Sequence, residues 1–249
     1  MNVACIIPAR YASTRLPGKP LLDIAGKPMI QHVVERVRQA RRASRIIVAT
    51  DDVRIFAAVE AFGGEVCMTS ASHPTGTDRL AEVAVALPEV DLVLNIQGDE
   101  PLMPPQAIDE LIAAFDGRDD LQMATLMTPM TEEEVDNPAA VKVVVSLDGH
   151  ALYFSRSLIP FPRNPGLQRR CCFKHIGIYA YRRDFLLHFA TLPPSPLEMT
   201  ESLEQLRALE HGCRIRVIET PFRSIGVDTP EDLEQVRRLL EESPREALI

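Results

Sequence analysis

Three cations stand at five- and four-residue intervals in Arg10-Tyr11-Ala12-Ser13-Thr14-Arg15-Leu16-Pro17-Gly18-Lys19-Pro20-Leu21, a segment that leaves a short β-like run, Val3–Ile7. Those residue types suit a polyphosphate: Arg as a planar fork, Lys as a point charge, and backbone N–H groups where Gly permits close approach. A solvated basic loop would also carry cations. The two prolines and the glycine beside Lys19 favour the first reading, because they fix the backbone from which the lysine projects. The segment reads as a cradle for a nucleoside triphosphate.

Three further polar clusters fall where chemistry is expected in an open α/β sheet, outside the carboxyl ends of strands. Gln97-Gly98-Asp99-Glu100-Pro101 follows the apolar run Leu92–Ile96, which places Asp99 as an oxygen ligand for a hard cation. Magnesium fits, being held by one or two carboxylates with phosphates and waters. Gly226-Val227-Asp228-Thr229-Pro230-Glu231-Asp232 offers a second carboxylate, and Asp228 reads either as a second metal ligand or as an acid at a helix start. In His73-Pro74-Thr75-Gly76-Thr77-Asp78-Arg79, Thr77 or Asp78 is a helix N-cap and Arg79 a surface residue, or Thr77 and Arg79 touch the nucleotide. Both readings stay open. His175 stands apart from the other histidines at the head of His175-Ile176-Gly177-Ile178-Tyr179, with Arg156 upstream in Phe154-Ser155-Arg156.

Elements that position these residues follow from periodicity. Apolar β-like runs alternate with amphipathic stretches, the pattern of βα units around a mostly parallel sheet. Strands are expected at Val3–Ile7, Ile46–Ala49, Val66–Met68 and Leu92–Ile96. Helices are expected from Pro28 to about Arg42, over 53–62, over 78–87 and over 104–115. Beyond Met123 the pattern shifts to β-like runs at Met123–Leu126, Val141–Val145, Leu152–Phe154 and Ile176–Tyr181, which read as antiparallel or mixed additions. Helical stretches near 197–211 and 230–242 flank a strand at Ile215–Ile218. No linker, repeat or low-complexity tract interrupts them, so the 249 residues read as one domain. The change of pattern near Met123 divides it into a nucleotide-binding part of about 1–122 and a second part of about 123–249.

Composition narrows the partners. Lys+Arg 27 against Asp+Glu 35 gives a net charge of −8, so the basic loop is a local exception, and nucleic acid and anionic membrane are disfavoured. No apolar run has the length of a membrane span, and a cytoplasmic protein is expected. The five cysteines, at 5, 67, 171, 172 and 213, lack metal-site spacing, and Cys5 and Cys67 read as small core hydrophobes.

Six motifs in order carry a resemblance: the 10–21 loop, Gln97–Pro101, Phe154-Ser155-Arg156, His175–Tyr179, Leu203-Glu204-Gln205-Leu206-Arg207 and Gly226–Asp232. Together they resemble the 3-deoxy-manno-octulosonate (Kdo) cytidylyltransferase family of lipopolysaccharide biosynthesis, collinearly from residue 3 to about residue 240. That resemblance implies a three-layer α/β nucleotidyltransferase fold with a mixed, mostly parallel sheet, Mg²⁺ dependence and usually a homodimer. It implies the reaction of CTP with Kdo to CMP-Kdo and pyrophosphate; a related acid such as 8-amino-Kdo or a nine-carbon ulosonate is the alternative, and a non-catalytic nucleotide-binding regulator the more distant one. It places Arg10, Ser13, Arg15 and Lys19 at the triphosphate, Thr77 and Arg79 near the nucleotide, and Asp99 and Asp228 on the metal. Gln97, Arg156, His175, Tyr179, Glu204 and Gln205 would line the sugar-acid pocket. Thr75 stands where the family more often has Ser, and keeps the hydroxyl.

Overall fold

The computed structural model describes residues 1–12, 16–164, 172–223 and 225–242, so Ser13, Arg15 and Cys171 lie outside the described residues. Two compact units emerge, one of residues 1–109 with 223–249, the other of residues 110–222.

In the first unit, β1 (Val3–Ala9) is followed by a hairpin of β2 (Asp23–Ile24) and β3 (Lys27–Pro28) that the periodicity did not reveal. Ala25 and Gly26 both take positive φ, 50° and 80°, as a primed hairpin turn demands. Helix α1 (Met29–Val37) buries Ile30, Val33, Val34 and Val37, the expected stripe. It stops short of Arg42 because the Asp109 carboxylate takes the N–H groups of Arg41 and Arg42. Then come β4 (Arg45–Thr50), α2 (Val53–Ala61), β5 (Glu65–Met68), α3 (Gly76–Val85) and β6 (Leu92–Asn95). β1 pairs in parallel with β4 on one side and β6 on the other, and β4 pairs with β5. The order β6-β1-β4-β5 reverses direction at β1, and the crevice beyond the carboxyl ends of β1 and β6 is where such sheets hold ligands. Cys5 is buried in β1, where burial pushes its thiol up to about 12. Cys67 is half-exposed rather than core, since β5 ends that strand order.

The chain passes to the second unit within α4 (Pro105–Ala113). There β7 (Met123–Pro129), α5 (Glu132–Val135), β8 (Lys142–Val145), β9 (Ala151–Ser155), β10 (Phe173–Arg182), α6 (Arg183–Phe189), α7 (Pro196–Glu201), α8 (Gln205–Glu210) and β11 (Ile215–Glu219) follow. β10 runs antiparallel to β7 and β8, β9 antiparallel to β8, and β11 parallel to β7. The single helix expected over 197–211 is two, because Ser202 takes φ 52° and ends α7. Helix α9 (Pro230–Glu242) returns to the first unit, where Leu233 and Val236 pack with Ile24, Met29 and Val227. That return brings the Asp228 segment back to the loop after β6.

Candidate functional site

The site grows from the loop after β1. Gly18 sits at φ 69°, and a Cβ there would meet the Tyr11 ring at 3.0 Å. Only glycine turns the chain there without strain. Its N–H reaches Tyr11 O at 3.0 Å, and a single 3₁₀ turn over Lys19–Leu21 follows. The turn expected of Pro-Gly-Lys-Pro is present, and Lys19 opens it.

Its ammonium meets three oxygens: Asp99 Oδ2 at 2.7 Å, Val227 O at 2.8 Å and Asp228 Oδ1 at 3.1 Å. Burial pulls the Lys19 pKa down, but the two carboxylates outweigh it and the net shift is upward, so the lysine stays charged. The carboxylates converge because Val227 N–H donates to Asp99 O at 2.9 Å and the fully buried Val227 side chain anchors the segment. A close approach holds Asp99 from the other side: a Cβ on Gly98 would stand 2.8 Å from Pro8 O. Gly98→Ala is expected to cost about 1–3 kcal/mol and to lower activity by displacing Asp99. A melting curve and turnover matching the parent protein would show that the approach is dispensable.

The two readings of Asp228 separate here. Thr229 and Asp232 cap α9: Asp232 accepts from Asp228 N at 2.9 Å and Thr229 N at 2.8 Å, and Thr229 Oγ1 accepts from Asp232 N at 3.2 Å. The Asp228 carboxylate turns to Lys19 instead. Both acids keep exposed side-chain surface, 32% at Asp99 and 48% at Asp228. Two carboxylates and a carbonyl already gather around one cation, so the donor set suits a hard divalent ion that completes its shell with phosphates and water.

Lys19, Asp99 and Asp228 line a cleft of about 370 Å³ with Pro8, Ala9, Arg10, Gly76, Gln97 and Gly98 among its walls. That volume is on the scale of a small-molecule site. Arg10 donates to His73 O at 2.6 Å and Thr75 O at 3.1 Å, tying the cradle to the start of α3. The helix cap is Thr75, in a capping box with Asp78, not Thr77 or Asp78. Arg79 is fully buried rather than a surface residue, paired to Asp51 at 2.8 Å and bonded to the Thr69 hydroxyl. Thr77, two residues earlier, is buried as well.

Of the expected sugar-acid residues, Gln97 lies in the first unit and Arg156, His175, Tyr179, Glu204 and Gln205 in the second. β10 bulges between Ile176 and Tyr179, two residues facing two on β7 while Gly177 and Ile178 loop out. Residues four apart on a regular strand are separated by roughly 13 Å. The bulge brings the His175 and Tyr179 rings to 5.2 Å, with Phe154 edge-on to His175 at 5.0 Å. The Thr125 hydroxyl fills the bulge: it gives its one proton to Ile178 O at 2.7 Å and so accepts from His175 Nε2 at 2.9 Å. Burial pushes the Tyr179 phenol well up, with Tyr181 and Glu204 adding to the effect.

Arg156 is engaged with backbone. Its guanidinium donates to Glu201 O at 2.7 Å, Pro138 O at 3.1 Å and Ser202 O at 3.2 Å, and its N–H donates to the Glu201 carboxylate. It thereby satisfies the last carbonyls of α7. Glu204 contacts Arg207 at 3.3 Å, and Gln205 is buried with Nε2 lacking a hydrogen-bond partner. Nothing in the sequence pattern revealed the Thr125 or Glu201 contacts, which depend on cross-strand register and on the αL turn.

Burial holds the His175 ring at about 3, far below the ordinary histidine range. The ring stays neutral at physiological pH. An unfolded chain takes up this proton below about 6.5, so the stability this residue contributes is complete above that pH and is lost as acid approaches the folded value. NMR of the ring should show no titration step between pH 5 and 8; a step there would place His175 in water.

The cytidylyltransferase family model matches residues 4–216. Curated relatives include the 3-deoxy-manno-octulosonate cytidylyltransferase of Geobacter sulfurreducens, 56% identical over 95% of this chain and 98% of that one. That of Anaeromyxobacter sp. strain Fw109-5 is 53% identical over 98% and 99%. Among solved structures, CMP:2-keto-3-deoxy-manno-octonic acid synthetase complexed with CTP superposes with a TM-score of 0.92 at 48% identity, covering 98% of this chain and all of that one. A cytidylyltransferase from Leptospira borgpetersenii shares the fold at 16% identity and a TM-score of 0.62. No helix among the described residues is long and apolar enough to cross a membrane.

Proposed function

The chain belongs to the cytidylyltransferase family, and from that premise we infer that it activates Kdo with CTP, giving CMP-Kdo and pyrophosphate. Relatives above half identity over nearly the whole chain carry that activity in their names. The observation in the molecule that carries the reading is the cleft beyond β1 and β6, where Lys19, Asp99 and Asp228 converge beside the Arg10 cradle.

In the reaction, the anomeric hydroxyl of Kdo forms a new bond to the α-phosphorus and the bond to the bridging oxygen of pyrophosphate breaks, while the hydroxyl proton passes to solvent. Magnesium bound at Asp99 and Asp228 would neutralise phosphate charge and acidify the attacking hydroxyl. Lys19 and Arg10 hold the triphosphate, with Arg15 and Ser13 assigned there by the motif. Fixing the phosphates on a rigid loop gives the in-line approach its orientation. Thr77 and Arg79, both buried, shape the start of α3 from within. For the sugar acid the motifs assign Gln97 of the first unit and, in the second, Arg156, His175, Tyr179, Glu204 and Gln205, each taken on its own unit. His175, being neutral, serves as a hydrogen-bonding group and not as the counter-charge of the carboxylate.

Magnesium, a homodimer and a cytoplasmic site of action belong to the same proposal, supported by the collinear motifs. Nucleic acid and membrane do not enter it. Pyrophosphate release across a panel of sugar acids and nucleoside triphosphates tests it: Kdo with CTP should be the preferred pair. Preference for 8-amino-Kdo or a nine-carbon acid would move the specificity, and release with none would leave a nucleotide-binding regulator.

A further inference from the structure

A lysine ammonium has three protons to donate, and Lys19 spends them on Asp99 Oδ2, Val227 O and Asp228 Oδ1. The same group cannot hold a phosphate until it lets these oxygens go. The chain turns through a left-handed Gly18 into the single turn Lys19–Leu21, which starts the lysine side chain on the side of both acids. The two acids stand on segments distant in sequence, each docked by main-chain bonds. Without a cation between them their charges would repel.

We propose that Lys19 is a built-in counterion that occupies the cation position between Asp99 and Asp228 in the nucleotide-free protein, and that it yields the position to a divalent metal only as incoming phosphates offer the ammonium a new anionic partner. The proposal rests on the reading of Asp99 and Asp228 as the metal pair. It makes metal and nucleotide binding mutually dependent. Metal alone must displace a unit charge held at contact distance and leave that charge unpaired. Metal arriving with a triphosphate displaces nothing without compensation, because the phosphate oxygens replace the carboxylates around Lys19. By reciprocity, nucleotide and metal each raise the affinity for the other.

The test is direct binding of Mn²⁺ to the full-length, nucleotide-free protein, followed by the electron paramagnetic resonance signal of the free ion, alongside the Mg²⁺-dependent shift of the melting midpoint. Lys19→Met should bind one Mn²⁺ at least roughly tenfold more tightly than the parent protein, as expected for removing one competing charge at contact. Its melting midpoint should rise with Mg²⁺ more than the parent's does. Adding Asp99→Asn to Lys19→Met should abolish both gains. Lys19→Gln, made in parallel, removes the charge while keeping donors for the carboxylates, and serves if the methionine variant does not fold. Equal Mn²⁺ affinity in the parent and the charge-removed protein would overturn the counterion role. If Asp99→Asn and Asp228→Asn still remove Mg²⁺-dependent turnover in that case, the metal pair stands and only the counterion role falls; if they leave it unchanged, the metal reading falls as well.

Discussion

Replacing Lys19 by alanine is expected to lower turnover by roughly 10²–10³, the scale for deleting one charge contact made to the transition state. The expectation comes from geometry: the ammonium lies within hydrogen-bond distance of both acids, on a loop that turns through a left-handed Gly18. Lys19→Ala loses the charge that would hold the departing pyrophosphate. It also leaves Asp99 and Asp228 facing one another, an effect that millimolar Mg²⁺ in the assay should offset. Turnover at saturating CTP and Kdo, with a melting curve in the same buffer, separates chemistry from folding. A folded variant keeping more than half of the parent turnover would remove Lys19 from the reaction.

Asp99→Asn and Asp228→Asn form the second large expectation. Each should reduce turnover by about 10² or more and raise the Mg²⁺ needed for half-maximal rate, because on the proposed reading metal-assisted attack would lose a ligand while Arg10 and Lys19 would still hold phosphate. The CTP dissociation constant should change little by comparison. Asp228→Asn should leave the melting midpoint close to the parent value, since Thr229 and Asp232 perform the capping of α9. Thr229→Ala is the matching control. It should cost about 1 kcal/mol of stability without altering the Mg²⁺ dependence. Normal turnover of Asp228→Asn at limiting Mg²⁺ would take that residue out of the metal site.

Apart from the β2–β3 hairpin, the alternation of strands and helices through Leu92–Ile96 was legible in the residues alone, because an apolar period and its turn residues are local properties of the chain. The turn that carries Lys19 was legible as well, since Pro17 and Pro20 fix their own φ angles whatever surrounds them and Gly18 admits the left-handed conformation between them. Collinear motifs made the family legible too. Contacts between residues far apart in the chain were not legible there. Asp228 faces Lys19 and not its own helix because Val227 pairs with Asp99, more than a hundred residues away, and is buried by α9. Arg79 is a buried partner of Asp51, where the sequence left it between a surface residue and a nucleotide contact, and Arg156 holds the end of α7, a contact the sequence did not reveal. His175 and Tyr179 meet only through a two-residue bulge whose register is set by Thr125 on the neighbouring strand. Charge and hydrogen-bonding capacity are written into each residue; which partner uses them depends on desolvation and register, and these exist only once the chain has closed on itself.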